Sequence, residues 1–308
     1  MSIPCLNEEK LIGKTVSNIP GFIDKVYIVD DGSTDGTRSE IERLARLDKR
    51  IELLVNEKNM GNGFSVVRAF KEAIKHGYDI NCIVAGDNQC RQEYLKDLVA
   101  EVADDNCDYA KANRFSNPAE LRQMPRFRKV GNVLMSVVNK FATGYYSIFD
   151  PLNSFSATKV STLKKLDLDS ISPRYDFENS YLFHLYLAHA RVKDVAVPAL
   201  YADETSTIVL RRYIPATTNT MLKIFFKRIY YNYFLFSLHP VALLLVSGLA
   251  FFGFGLIYGG VIFLHSLGAG HTPATTATVM LSVVPFICGF QLLLYALILD
   301  IQNEPKPN

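Results

Sequence analysis

The stretch of the chain richest in chemistry is Asp30-Asp31-Gly32-Ser33-Thr34-Asp35, which follows directly on the apolar Tyr27-Ile28-Val29. Two adjacent carboxylates at the point where a strand gives way to Gly, Ser and Thr cannot both be buried without donors. The hydroxyls and ring N–H of a nucleoside would serve, as would a cation; an acid pair solvated in an ordinary strand-loop-helix turn is the plain alternative. Asp35 is placed to cap the next helix. A second acid, Asp87, lies in Gly86-Asp87-Asn88-Gln89 after another strand-like run. A third group is basic: Lys111, Arg114, Arg122, Arg126, Arg128 and Lys129, with only Glu120 among them. Arg forks grip phosphate oxygens, so this run is either an anion site or a solvated charged face. Asp150, in Asp150-Pro151-Leu152-Asn153-Ser154-Phe155, adds an acid beside a turn.

The elements that must position these residues alternate. Ser2 to Cys5 reads as the tail of an unusually short first strand, and Asn7 as the cap of a helix to Ser17. Tyr27 to Val29, Ile51 to Val55 and Ile80 to Ala85 read as further strands, with a helix over Gly36 to Leu47 and another, ended by Gly77, whose Phe64, Val67, Phe70 and Ile74 fall on one face. Asn59-Met60-Gly61-Asn62-Gly63 is a turn; its Gly-x-Gly alone is weak grounds for phosphate binding. Strands alternating with helices predict a mostly parallel, doubly wound sheet, whose ligands bind at the carboxyl ends of the strands. There Asp31 and Asp87 are expected to share one crevice. A helix over Tyr175 to His189 carries Asp176 and Glu178, and its His184 and His189 read as packing or surface residues.

Charge distribution divides the rest. Residues 229–299 hold no Asp, Glu, Lys or Arg, and of the 33 Lys and Arg only Lys306 lies beyond them. A crossing takes ~20 apolar residues, so this run is long enough for two, Val241 to Leu264 and Thr278 to Leu299, with Pro285 as a kink; a buried soluble hairpin is the alternative. Thr217 to Ser237 mixes Lys and Arg with aromatics and reads as an interfacial helix. Lys223, Lys227 and Arg228 precede the first span, which sets their side as cytosolic. The five cysteines lack Cys-x-x-Cys spacing and read as reduced thiols, and no secretory leader is expected. The net charge of +2 gives no grounds for a nucleic-acid partner.

With these motifs in place, the first 210 or so residues resemble family 2 glycosyltransferases of the GT-A fold, most closely the polyprenyl-phosphate (dolichyl-phosphate) sugar synthases. The resemblance rests on Ile3-Pro4-Cys5-Leu6-Asn7-Glu8-Glu9, Val29 to Thr37, Asn59 to Gly63, Gly86 to Gln89, Asn113-Arg114-Phe115 and Asp150 to Phe155, in that order. It implies a Rossmann-like GT-A domain over 1–210, a juxtamembrane region over 211–238, two membrane helices over 239–301 and a polar tail over 302–308. It also implies inverting, metal-assisted sugar transfer at the cytosolic membrane face. Pro4, Asn7, Glu8, Asp30, Asp31, Ser33 and Gly61 would bind the nucleotide sugar, and Asp87 with Gln89 would hold Mg²⁺ or Mn²⁺ on the diphosphate. The family motif Asp-x-Asp-x-Gln has Ala85 in place of its first acid here. The family's later Arg and Lys are missing from Tyr201 to Ile208, where Arg211 or Arg212 would substitute.

A phosphate monoester acceptor, with a second pKa of ~6, is already anionic at neutral pH and needs positive charge more than a base. Arg114, Arg128 and Lys129 are the candidates to hold it, and Asp150 to orient the sugar or acceptor. Expected partners are a nucleoside-diphosphate sugar, a polyprenyl phosphate and the lipid bilayer, with no nucleic acid and with room for a homo-oligomer. Two other readings stand beside this one. A diacylglycerol acceptor would require Asp150 as base, and Ala85 with the short first strand would suit a non-catalytic membrane subunit.

Overall fold

The computed structural model describes residues 1–116, 126–174, 176–198, 210–235, 239–267 and 274–307, without the side chains of 126–130, 132 and 210–216. The chain forms two compact units, Met1–Phe226 with Pro305–Asn308, and Lys227–Glu304.

The first unit alternates strand and helix: β1 (Ser2–Cys5), α1 (Ile12–Ser17), β2 (Val26–Asp30), α2 (Thr37–Leu47), β3 (Ile51–Val55), α3 (Asn62–Lys75), β4 (Ile80–Ile83) and α4 (Leu95–Ala103). It continues with β5 (Tyr109–Asn113), α5 (Arg126–Thr143), β6 (Ser156–Lys159), the single turn α6 (Val160–Leu163), α7 (Phe177–Leu187), β7 (Val192–Ala196) and α8 (Leu210–Ile229), whose last three residues belong to the second unit. The seven strands form one sheet in the order β3-β2-β1-β4-β6-β5-β7, parallel except for β6, which runs antiparallel to both β4 and β5. This is the mostly parallel sheet that the alternation predicts. β1 is not stunted: it has the length of β4 and β6 and pairs along its whole length with β2.

Both faces of the sheet are covered, so β2 is buried at every position and is apolar from Val26 to Val29, ahead of Asp30. Ile12 of α1, Ile41 of α2 and Leu95 and Leu98 of α4 pack with Ile3 and Ile28 in one core. Val66 and Phe70 of α3 pack with Phe177, Tyr181 and Leu185 of α7 in another. In a smaller cluster Ala142 of α5 and Phe183 of α7 meet Met221 and Ile224 of α8. Val133, Leu134, Val137 and Phe141 of α5 remain exposed, as do Leu222 and Phe226 of α8.

The second unit is a helical hairpin, α9 (Pro240–Ser266) and α10 (Thr276–Gln302), both long and apolar enough to cross a membrane. α10 runs through Pro285. Small residues let the two helices touch: a Cβ on Gly289 would stand 2.2 Å from the Phe252 amide nitrogen, and one on Gly255 2.6 Å from that of Phe286. Ser282 Oγ donates to the Gly255 carbonyl at 2.8 Å. At the base of the hairpin Arg228, fully buried, sends two parallel hydrogen bonds of 2.6 and 2.8 Å to the Asp300 carboxylate, which also accepts from the Tyr233 hydroxyl.

Candidate active site

The crevice lies where strand order reverses. β1 and β4 are paired only at Ser2 and Ile83, the first residue of β1 and the last of β4, so beyond Ser2 β1 has no partner on that side. In open α/β sheets such a switch point is where ligands bind. The strand with the proline is suited to this place, because Pro4 has no N–H to leave unpaired. Beyond the strands the backbone turns left-handed on both sides, at Asn7 (φ 58°) and Asn88 (φ 57°), a conformation Asn tolerates better than most residues. Gly86 closes the floor: a Cβ there would meet Cys5 Sγ at 2.5 Å.

Three acids gather round Cys5. Burial pushes its thiol well above the usual range, and the charges of Glu8, Asp30 and Asp87 push it further the same way. The loop that carries Glu8 is laced to the loop after β2. Asn7 N–H donates to Ser33 Oγ at 3.0 Å, Thr34 N–H to Asn7 Oδ1 at 2.9 Å, and Glu8 N–H to Thr37 Oγ1 at 2.7 Å. Ser33 N–H in turn donates to Asp30 at 3.0 Å, and Asp35 accepts the Thr37 amide at the start of α2. Asn7, Glu8, Glu9, Lys10, Leu11 and Asp35 line a concave surface here.

Asp31 is engaged elsewhere. It accepts from Asn56 Nδ2 at 2.7 Å, Met60 N–H at 2.9 Å and Gly61 N–H at 2.8 Å, and is only 4% exposed. Asp30, the last residue of β2, has its charge near Cys5, while Asp31, just past the strand, ties down the turn before α3. The crevice thus collects Glu8, Asp30 and Asp87, where the sequence had paired Asp31 with Asp87. Gly61, at φ 104°, spends its amide on Asp31 and lies against the Pro173 carbonyl.

Arg114 and Asp150, expected to act separately, form one unit. Arg114 Nε and Nη2 donate to the two Asp150 oxygens at 2.7 and 3.0 Å, and the Arg114 amide adds a third bond at 3.2 Å. Asp150 is 1% exposed, while the Arg114 side chain is 42% exposed. The pair sits beside the Asp87 loop, for the Cys90 thiol feels both. Burial pushes that thiol up to about 12, with Asp87 raising and Arg114 lowering it. Below the pair, buried Lys111 of β5 donates to the Asn153 carbonyl, and Asn153 Nδ2 returns a bond to the Ala112 carbonyl at 2.9 Å. Glu178 of α7 faces Lys111 and Arg114, its carboxyl pushed up by burial against the pull of both cations.

For a divalent cation the chain offers Asp87 and Gln89. The Gln89 amide donates to Asp87 Oδ1 at 3.0 Å, which draws the two side chains into one turn. Among the described residues no three His, Cys, Asp or Glu side chains gather as a metal cluster. A hard cation that shares a diphosphate takes only one or two carboxylates, with phosphate and water oxygens for the rest, so this sparse set fits. The side chains of Arg128, Lys129, Arg211 and Arg212 lie outside the described residues. Lys111, which the sequence groups with the basic run as an anion contact or a solvated face, is instead a buried cation; Asp194 of β7 is a residue of the site that no local pattern marks.

The open, mostly parallel sheet with acids at its carboxyl edge is that of a GT-A α/β domain, as the likeness to solved structures shows. The fold is similar to that of glucosyl-3-phosphoglycerate synthase from Mycobacterium tuberculosis in complex with Mn²⁺, UDP and glucosyl-3-phosphoglycerate. That likeness has a TM-score of 0.53 at 17% identity and covers 74% of this chain and 78% of that one. The model for glycosyl transferase family 2 matches residues 2–167, so the chain belongs to glycosyl transferase family 2 and is a glycosyltransferase. Among curated relatives, it is 27% identical over 214 residues to UDP-N-acetylglucosamine--dolichyl-phosphate N-acetylglucosaminyltransferase of Methanococcus voltae, covering 65% of this chain and 85% of that one. It is 24% identical over 208 residues to polyprenol monophosphomannose synthase of Mycolicibacterium smegmatis, covering 65% and 76%.

Proposed function

We propose that the protein moves a sugar from a nucleoside-diphosphate sugar to a polyprenyl phosphate, with inversion, at the cytosolic face of a membrane. The observation that carries this reading is the union, on one chain, of a family 2 domain with two helices of membrane-spanning length. The relatives named as a dolichyl-phosphate N-acetylglucosaminyltransferase and a polyprenol monophosphomannose synthase support it.

The reaction needs little proton transfer. An oxygen of the acceptor phosphate attacks C1 of the sugar from the face opposite the leaving group. The C1–O bond to the diphosphate breaks, and the nucleoside diphosphate departs with the electron pair. The acceptor is already an anion at neutral pH. Pro4, Asn7, Glu8 and Asp30 hold the nucleoside in the switch-point crevice, and Asp87 with Gln89 would hold Mg²⁺ or Mn²⁺. When bound, that cation offsets charge developing on the diphosphate. Arg114 presents positive charge beside the Asp87 loop, oriented by Asp150. Arg128 and Lys129 would add to it.

The diacylglycerol alternative asks Asp150 to accept a proton from a neutral hydroxyl. Both of its oxygens are bonded by Arg114 and it is almost wholly buried, which favours an orienting role. The test is transfer from labelled UDP- and GDP-sugars by purified protein. Polyprenyl phosphate should give one lipid product whose sugar mild acid releases, and free polyprenol should be inert. Equal transfer to polyprenol or diacylglycerol would overturn the reading.

A further inference from the structure

We infer that Asp194 of β7 is a positioning residue for the Arg114–Asp150 pair, one carboxylate that fastens both loops on which the pair stands. Its Oδ2 accepts from Asn113 Nδ2 at 2.9 Å and from the Phe149 amide at 2.8 Å. Asn113 and Phe149 are the chain neighbours of Arg114 and Asp150. A single atom therefore sets the spacing between the two backbones whose side chains must meet. The hold is extended on the Asn113 side, where Oδ1 accepts the Phe115 amide at 2.8 Å and the carbonyl accepts from Val197 at 3.1 Å.

The placement is costly, which argues for a function beyond filling space. Asp194 Oδ1 is buried and has no hydrogen-bond partner among the described residues. An acid left half-satisfied is a burden on folding that an apolar residue would avoid. Burial pushes its carboxyl up to about 6, the Phe149 amide and Lys111 pull it down, Asp150 raises it and Lys140 lowers it. Lys111 comes from β5, where it is Asp194's register partner, Lys140 from α5 and Asp150 from the loop before β6. Truncation would free the Asn113 amide and the Phe149 N–H together, so the two loops would lose their common anchor. Asn at this position keeps an oxygen for both donors.

The inference rests on the transferase reading for its kinetic part, so one arm of the test does not depend on activity. Hydrogen exchange measured by mass spectrometry on the full chain in detergent should be faster in Asp194→Ala over the segments that hold 113–116 and 146–150. Asp194→Asn should return it to the wild-type rate. In the transfer assay Asp194→Ala should lose kcat by ~10-fold or more with the nucleotide Kd unchanged, and Asp194→Asn should recover most of it. Unchanged exchange in Asp194→Ala overturns the inference whatever the enzyme does. So does faster exchange with undiminished kcat. Faster local exchange in a protein that transfers no sugar to polyprenyl phosphate even as wild type would retain the anchor and refute the function reading instead.

Discussion

Asp87 is the acid on which the residue-scale case for a metal depends, because Ala85 occupies the position where the family motif has another. Asp87→Ala should lower kcat by ~100-fold or more while leaving the fold intact, since the side chain is only partly buried. Transfer measured across a Mg²⁺ and Mn²⁺ titration, with EDTA as the zero point, decides it; full turnover in EDTA would exclude the cation. Ala85→Asp should lower the metal concentration needed for half activity. At this scale the sequence showed which residue types were present and where each strand ended. It did not show which way each carboxylate pointed. Asp30 and Asp31 look alike as letters, yet one accepts the Ser33 amide and the other is bonded by Asn56, Met60 and Gly61. Arg114 and Asp150 lie 36 residues apart, and Asn113 and Asp194 81. Partnerships over such separations arise from sheet order, which no local pattern encodes.

Elements were more legible, because period and turn chemistry are local. The β2 run, the α3 face and both apolar helices fall where the hydrophobic pattern puts them, within a few residues at each end. What the pattern missed was a tie between elements. Arg228 and Asp300 bracket the charge-free run in sequence, and the fold brings these two ends together as a buried bidentate pair that ties the end of α8 to the end of α10. Removing one partner leaves the other charge buried. Asp300→Ala should therefore destabilise the hairpin by about 3–5 kcal/mol, while a joint replacement, Arg228→Met with Asp300→Leu, should be far milder. Denaturant unfolding in detergent, followed for both variants, checks this. Equal losses in the single and joint variants would mean that the pair is not the tie.

Across the whole molecule, charge placement carries a prediction of orientation. Lys223, Lys227 and Arg228 stand before α9, α9 and α10 hold no Lys or Arg, and Lys306 follows α10. Positive charge on one side of a two-helix hairpin sets that side as cytosolic, so the catalytic domain and the tail should face the cytosol and the 267–275 turn the opposite side. A soluble nucleotide sugar would then meet the domain without crossing the bilayer, and the acceptor's lipid chain would remain in it. In a background with Cys288 replaced, Ser266→Cys should react with a membrane-impermeant maleimide on intact cells, and Asn303→Cys only after permeabilisation. The reverse pattern would put the domain on the face where nucleotide sugars are absent and would remove the donor from the proposed reaction. Labelling of neither residue before permeabilisation would indicate a hairpin that does not cross, and the acceptor would then have to be sought among lipids reached from one leaflet alone.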